Sequence, residues 1–410
     1  MSDSDGWALL ADAQAVATRV RRAGDVTDAV GPRSFLHAGP PMEGDGLTGP
    51  MRGAVLGALV LEGEAEDLRS AAELLDSGGI SLTPCHSAGA VGAMAGVISP
   101  SIPVVEVQGA DGRTAFAPVN EGLGEALRFG ATSDRVVARL RWMSDVLAPV
   151  LDDALRSLGG IDIVGLQAEG LRRGDECHNR NVASTAALLA ALAPAVVRRA
   201  PDSGTAAAVL EFLSGNPHTF LSFSMAAGKV AGDAAHAAGG TPGLVTAICA
   251  NGRRMGLRVS GLDEWITAPA PMGRPKVFPG FAVEDACPAM GDSFMTETIG
   301  LGAFALTAAP AISSFIGGTH QEAVELVDSM RRICRGDSKR FLVPSEGFTG
   351  TPVGIDVRLV CESGITPVLN NGFAHRDPGV GQVGAGLTRL PIEPFLRARA
   401  ALETSSAKSA

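Results

Sequence analysis

Glycine constrains this chain before any other residue: 52 of its 410 positions are glycine, with no collagen-like period. That is 52/410, about 13%, against a usual share of about 7%. A residue without Cβ loses more conformational freedom on folding than any other, so each one has to be used. Turns, close helix packing and the approach of backbone to a ligand are the uses open to it. At 410 residues the chain exceeds one ordinary core, which points to two or three domains.

The rest of the composition removes whole classes of function. A 46% hydrophobic and 19% charged chain is neither disordered nor a coiled coil. Tyrosine is absent and aromatics make up only 4%, which excludes a tyrosine acid and argues against a base-stacking platform. A formal charge of −10 repels phosphate backbones and anionic membranes, so neither nucleic acid nor membrane is an expected partner. Cys85, Cys177, Cys249, Cys287, Cys334 and Cys361 lie far apart without a C-x-x-C, as expected of reduced thiols in the cytoplasm. The acidic start MSDSDGW lacks the features of a signal peptide, and the apolar run over 182–197 reads as a buried helix.

Along the chain, residues 7–22 read as an amphipathic helix, followed by a Gly/Pro-rich loop over 31–50. Two helices follow, MRGAVLGALVLEG and EAEDLRSAAELLDSGG, then strand and loop from Ile80 and a hairpin PVVEVQ–GADG–TAFAP. Residues 124–213 look helical, broken at Gly159–Gly160 and at GDECHNRN. A small-residue helix SMAAGKVAGDAAHAAGG precedes the strongest hairpin, LVTAICANGRRMGLRVSG, which turns at Asn251-Gly252. Helices near 293–309 and over 319–334, the latter opened by the capping box of Thr319 and Glu322, lead to strands VGIDVR and ITPVLNN. The layout is α/β (α+β), with two mixed α/β domains flanking an all-helical segment. Its expected parts are an N-terminal helix over 1–29, α/β over 30–123, helical over 124–213, α/β over 214–396 and a disordered tail over 397–410.

No P-loop, G-x-S-x-G or H-E-x-x-H occurs, and Gly381-Gln-Val-Gly384-Ala-Gly386 has the wrong spacing for a dinucleotide fingerprint. Cys85-His86 and Cys177-His178 hold metal-ligand types, but adjacent ligands rarely converge on one ion, so no metal is expected. A buried Cys beside a hydrogen-bonding His is the plainer reading of both. In GDECHNRN, seven polar groups from Asp175 to Asn181 stand between apolar helices and demand partners, as the lining of a site or as a solvated loop. Lys229, Asp233 and His236 share one face of an Ala/Gly helix, aimed into a cleft or forming an exposed salt-bridge stripe. His375-Arg376-Asp377-Pro378 is a turn or an anion contact.

Several strings taken together are more specific: HAGPPM with GPMRGAVLGAL; SLTPCHSAGAVGAMAGVISPSIPV; NEGLGEALRFG; GDECHNRN; SMAAGKVAGDAAH; NGRRMGLRVSG; GDSFMTETIGLGAFALTAAPA; GTPVGIDVRLV; and AHRDPGVGQVGAGL. In order and spacing, from about residue 30 to 395, the chain resembles the YlbE-like family, bacterial proteins found beside FdrA-like proteins. One branch of that family is assigned to oxamate carbamoyltransferase. Longer members carry an extra domain in front, and relatives are often richer in histidine where this chain has Ser87, which further weakens a metal at Cys85-His86.

The resemblance implies the reaction oxalurate + phosphate ⇌ oxamate + carbamoyl phosphate in allantoin nitrogen catabolism, with no cofactor. It implies an FdrA-like, CoA-ligase-related partner, a further small subunit and a homo-oligomer. Two anions must meet, an oxyanion needs donors and the leaving nitrogen needs a proton. The expected catalytic residues are His178, Asp175, Glu176 and Lys229. The expected substrate-binding residues are Arg52, Cys85, His86, Asn120, Asn179, Arg180, Asn251, Arg258 and His375. Arg52 and Arg180 are the anion clamps, with backbone N–H groups from loops 39–49 and 379–386. A non-catalytic assembly subunit and a metal-dependent ureido hydrolase are the alternatives.

Overall fold

The computed structural model describes residues 5–42, 44, 46–240, 242–315 and 318–409. Residues 1–4 of the expected first helix, 43 and 45 of the glycine loop and 410 of the tail lie outside these. The fold is mixed α and β, with helices filling the stretch between two groups of small sheets.

The first sheet runs Thr114–Pro118, Pro103–Gly109, Ala15–Arg22, Ile161–Asp162, all antiparallel. Its third strand corrects the expected helix over 7–22: the helix covers only Gly6–Ala11, and residues 15–22 are extended. Ala15, Ala17 and Val20 are buried, while Arg19 and Arg21 pair with Asp152 and Glu106 at 2.7 and 2.6 Å. Ala15 and Ala17 stand two apart, the period of a strand, and a ladder partner lies on each side. Trp7 packs against the late strands Cys334–Val343 and Thr349–Ile355. A Cβ on Gly354 would lie 2.4 Å from its ring and one on Gly336 2.8 Å, and its Nε1 donates to the Val353 carbonyl.

The helix Leu221–Ala238 lies across the first sheet and is buried along most of its length. Its small residues permit this: a Cβ on Gly228 would come 2.6 Å from the Met295 carbonyl oxygen, and one on Gly232 would come 2.3 Å from that of Thr246. Beyond it lies the second sheet, Met290–Gly291, Val245–Asn251, Arg254–Val259, Ile266–Pro269, which contains the Asn251-Gly252 hairpin. A third sheet is Arg274–Val277, Gln382–Arg389, Val368–Ala374. Residues 382–386 are therefore strand rather than a loop of free N–H donors. Gly386 and Gly384 are needed because a Cβ would come 2.1 and 2.5 Å from the Arg274 and Lys276 carbonyl oxygens.

The helical stretch shares its apolar core with the first sheet, through Leu151, Leu155, Val164 and Leu188 among others. Among the described residues one helix, Val182–Arg199, is long and apolar enough to cross a membrane. Leu188, Leu192 and Val196 of this helix are buried against neighbouring helices. Two further expectations are corrected. The helix near 293–309 is only Met295–Thr298 followed by a 3-10 stretch, because Gly300 and Gly302 take φ of +88 and +59°. The tail is ordered: helix Glu393–Ser409 buries Phe395 and Ala398, with Leu402 packed beside them.

Candidate functional site

The polar run GDECHNRN bridges helices Ile163–Arg172 and Val182–Arg199. Within it Cys177 takes φ of +60°, uncommon for a non-glycine residue. That kink folds the backbone so that the N–H groups of Asn179 and Arg180 both donate to the Glu176 carboxylate. The Asn370 side-chain amide donates to the same carboxylate at 2.8 Å. Asp175 accepts from the N–H and hydroxyl of Ser184 at 2.7 and 3.0 Å, at the start of the next helix.

His178 is held by a residue 119 positions away. Its Nδ1 lies 2.9 and 3.0 Å from the two Glu297 oxygens. Glu297 is itself fixed by the Thr296 hydroxyl and by the N–H groups of Asn370 and Ala303. A carboxylate on Nδ1 sets the tautomer and leaves Nε2 as the nitrogen free to exchange a proton. Burial opposes charge on His178, but Glu297 outweighs it and holds the pKa above the ordinary 6.5. Burial pushes Glu176 up to about 7, against the pull of His178 and of the loop N–H groups.

His178 and Asn179 line a small cavity together with Arg128, His218, Ser293 and Gln382. Met94, on the same wall, has φ of +57°, a second strained non-glycine residue at this place. Such strain clusters where function outweighs local comfort. Arg128 donates to the Gly122 carbonyl at 2.7 Å, while its buried Nε has no hydrogen-bond partner. Burial lowers its pKa to about 10, so it stays charged at neutral pH. Burial and the neighbouring Arg128 hold His218 down at about 3, so it is neutral. A cation, a neutral imidazole and a carboxylate-backed imidazole thus face one small cavity. That set can bind an anion, donate to an oxyanion and move a proton.

The other nominated residues go elsewhere. Arg180 donates from Nε to the Gly174 carbonyl at 3.0 Å and stands 3.4 Å from Asp175, fastening its own loop. Lys229 is buried and bonded to Asp233 at 2.6 Å, and Arg258 shares that carboxylate at 2.7 Å. Arg52 pairs with Asp76 on an exposed face at 2.7 Å. Asn120 accepts from Asn216 and Gly122 and lines a neighbouring cavity that also contains Arg128. Asn251 holds the hairpin by accepting from the N–H groups of Arg253 and Arg254. His375 accepts from the Asp377 N–H at 2.9 Å, making the local turn. The Cys85 thiol meets the Gly96 carbonyl, while His86 lies beside Asp292 and Cys249.

Sequence reasoning overlooked Glu297, Arg128, His218, Gln382 and Asp292. For Glu297 and Asp292 a signal existed, since an acid inside the apolar run GDSFMTETIGLGAFAL must be buried with partners. Arg128 lies in NEGLGEALRFG, also used above, but nothing there separates it from a surface arginine.

Comparison with known proteins agrees with the resemblance. The sequence profile of the family described as "Oxamate carbamoyltransferase subunit AllG" matches residues 80–293. The chain is 44% identical over 378 residues to the Escherichia coli K12 protein of that description, covering 91% of this chain and 90% of that protein. A second protein of the same strain, the uncharacterized YahG, is 42% identical across 89% of this chain and 78% of its own length. The crystal structure of a conserved protein of unknown function from Enterococcus faecalis V583 superposes with a TM-score of 0.94 at 41% identity, covering 98% of this chain and 96% of that one. On these matches the chain belongs to the AllG family of oxamate carbamoyltransferase subunits.

Proposed function

We propose that this subunit carries the acid–base and anion-binding groups for phosphorolysis of oxalurate. The observation that carries the reading is His178, backed by Glu297, at a cavity shared with Arg128. A phosphate oxygen attacks the ureido carbon, the C–N bond to the oxamate nitrogen breaks, and protonated His178 supplies the proton that nitrogen needs. In the reverse direction neutral Nε2 takes the proton back from the oxamate amide. Arg128 takes a carboxylate or phosphate oxygen, and His218 with the Asn179 amide donates to the oxyanion. Glu176 and Asp175 shape the loop that presents His178, with Arg180 as its fastener. Lys229 acts by fixing the helix Leu221–Ala238. The reaction serves nitrogen recovery from allantoin in the cytoplasm. The chain works as copies assembled with an FdrA-like subunit and a further small subunit.

Two experiments test this. Carbamoyl phosphate formation from oxalurate and phosphate is expected to be negligible with the isolated chain and restored by co-expression with the FdrA-like partner. Full turnover by the chain alone refutes the multi-subunit part. In the reconstituted complex, Arg128→Gln is expected to lower the rate about 30- to 1000-fold, the worth of a lost charge-assisted contact of roughly 2–4 kcal/mol. Arg180→Lys is expected to change the rate less than threefold. The reverse ranking returns the clamp to Arg180.

A further inference from the structure

We propose that His86, Cys249 and Asp292 form a binding site for one divalent cation of the zinc class. Their ligand atoms, one nitrogen, one sulfur and one carboxylate oxygen, lie within 4.8 Å of one another. They come from three separate segments: the turn Cys85–Ala88, the strand Val245–Asn251, and the residue after the strand Met290–Gly291. This departs from the expectation drawn from adjacent Cys-His pairs, because the ligand set takes one residue from each segment and leaves Cys85 out.

Two of the three groups, His86 and Cys249, are short of partners, and the third is held in place. Both ring nitrogens of His86 are buried without a hydrogen bond, and its side chain is 1% exposed. Trp265 covers the ring edge-on, with centroids 5.0 Å apart. A buried imidazole with neither nitrogen satisfied is costly unless something absent from the protein chain itself completes it. The Cys249 sulfur has only a long contact of 3.9 Å to the Gly256 carbonyl. Asp292 accepts from the N–H groups of Gly39 and Gly92 at 2.7 and 2.9 Å, which aims and holds its carboxylate.

The spacing fits a shared ion better than a hydrogen bond. His86 Nε2 and Asp292 Oδ1 are 3.6 Å apart, too long for the latter. With zinc about 2.0–2.1 Å from each, that separation subtends an angle of about 120°, near tetrahedral. A mixed nitrogen, sulfur and oxygen set suits zinc better than magnesium or calcium, which take oxygen alone. Charge agrees as well: a dication with one thiolate and one carboxylate is neutral. The nearby Lys229 and Arg258 share Asp233, whose single negative charge offsets one of the two. Three protein donors leave a fourth position for water or a ligand, as in zinc centres that are not closed. The adjoining residue Ser293 lines the cavity described above.

The test uses the whole chain purified without chelators and does not depend on carbamoyl transfer. Elemental analysis is expected to show about one zinc per chain. After chelation, cobalt(II) titration is expected to saturate at one equivalent with the intense visible bands of tetrahedral cobalt and a thiolate-to-cobalt absorption. Cys249→Ser should abolish that absorption, while Cys85→Ser and Cys177→Ser should keep it. A chain that takes up neither zinc nor cobalt, or whose thiolate absorption survives Cys249→Ser, overturns the proposal. Should Cys249→Ser fail to fold, X-ray absorption on the zinc-loaded native chain decides: one sulfur with nitrogen and oxygen neighbours upholds it, and no sulfur ends it.

Discussion

His178→Asn is expected to lower the turnover of the reconstituted complex by about 100- to 10 000-fold, with a small change in Tm and KM. Asparagine can place an amide N–H near where Nδ1 lies, so Glu297 keeps a donor while the titrating Nε2 is lost. His178→Ala should instead melt markedly earlier, since it leaves a buried carboxylate without its partner, a loss of about 3–5 kcal/mol. The pH profile adds a readout that a purely structural role would not move. Glu297 holds the His178 pKa above its ordinary 6.5, so the acid form persists to higher pH. Glu297→Gln removes that negative charge, and the falling limb of phosphorolysis should move to lower pH. The same pair contributes stability that is complete below pH 6.5 and is lost as pH rises through the folded pKa. A His178→Asn complex that works normally would return this subunit to a purely assembling role.

Gly53→Ala should destabilise the chain by about 2 kcal/mol or more and lower Tm by several degrees, although alanine is the better helix former by up to about 1 kcal/mol. The helix Gly49–Glu62 presses its backbone directly on the turn that follows Leu127–Phe129. A Cβ on Gly53 would sit 2.3 Å from the Gly130 carbonyl oxygen. No side chain is there to rotate away, and that oxygen is already held by the Gly379 N–H at 2.9 Å. Gly130 has φ of +82°, with Pro50 Cα 2.6 Å from where its own Cβ would be, so the contact is tight from both sides. Because Gly130 is two residues from Arg128, catalysis should fall together with stability. Gly215→Ala is the control: space around it is open, and thermal melting should be unchanged or slightly raised. Equal melting of native and Gly53→Ala chains would mean that the two backbones separate freely.

What could be read from the sequence was local. Asn251-Gly252 announced its hairpin, though the turn lies one residue on, at Gly252–Arg253, with Asn251 ending the first strand; Thr319 with Glu322 announced a helix start because both bonds lie within four residues. GDECHNRN stood out because polar groups between apolar helices must be satisfied somewhere. What assembles the candidate site is not local. Glu297 bonds to a histidine 119 residues earlier, and Asp292 meets Gly92 200 residues earlier. Neither pairing leaves a trace in spacing. Ala15 and Ala17 stand two apart, the period of a strand, but the helix expected over 7–22 runs through them, and the neighbouring strand 103–109 decides the outcome. Arginines show the same limit, since Arg52, Arg128 and Arg180 look alike in sequence and differ only in what surrounds them.

Trp7 sets a timetable for synthesis. Its ring is seated against Gly336 and Gly354, and its Nε1 against the Val353 carbonyl, so its pocket does not exist until the last sixth of the chain has begun to emerge. At about 5–20 residues per second a ribosome needs roughly 17–70 s to make 350 residues. Once residues 103–109 and 161–162 have been made, the strand Ala15–Arg22 has its sheet partners but the indole ahead of it has nowhere to go. The unseated indole therefore stays open to chaperones, to proteases and to neighbouring nascent chains until residues 336–354 have been made.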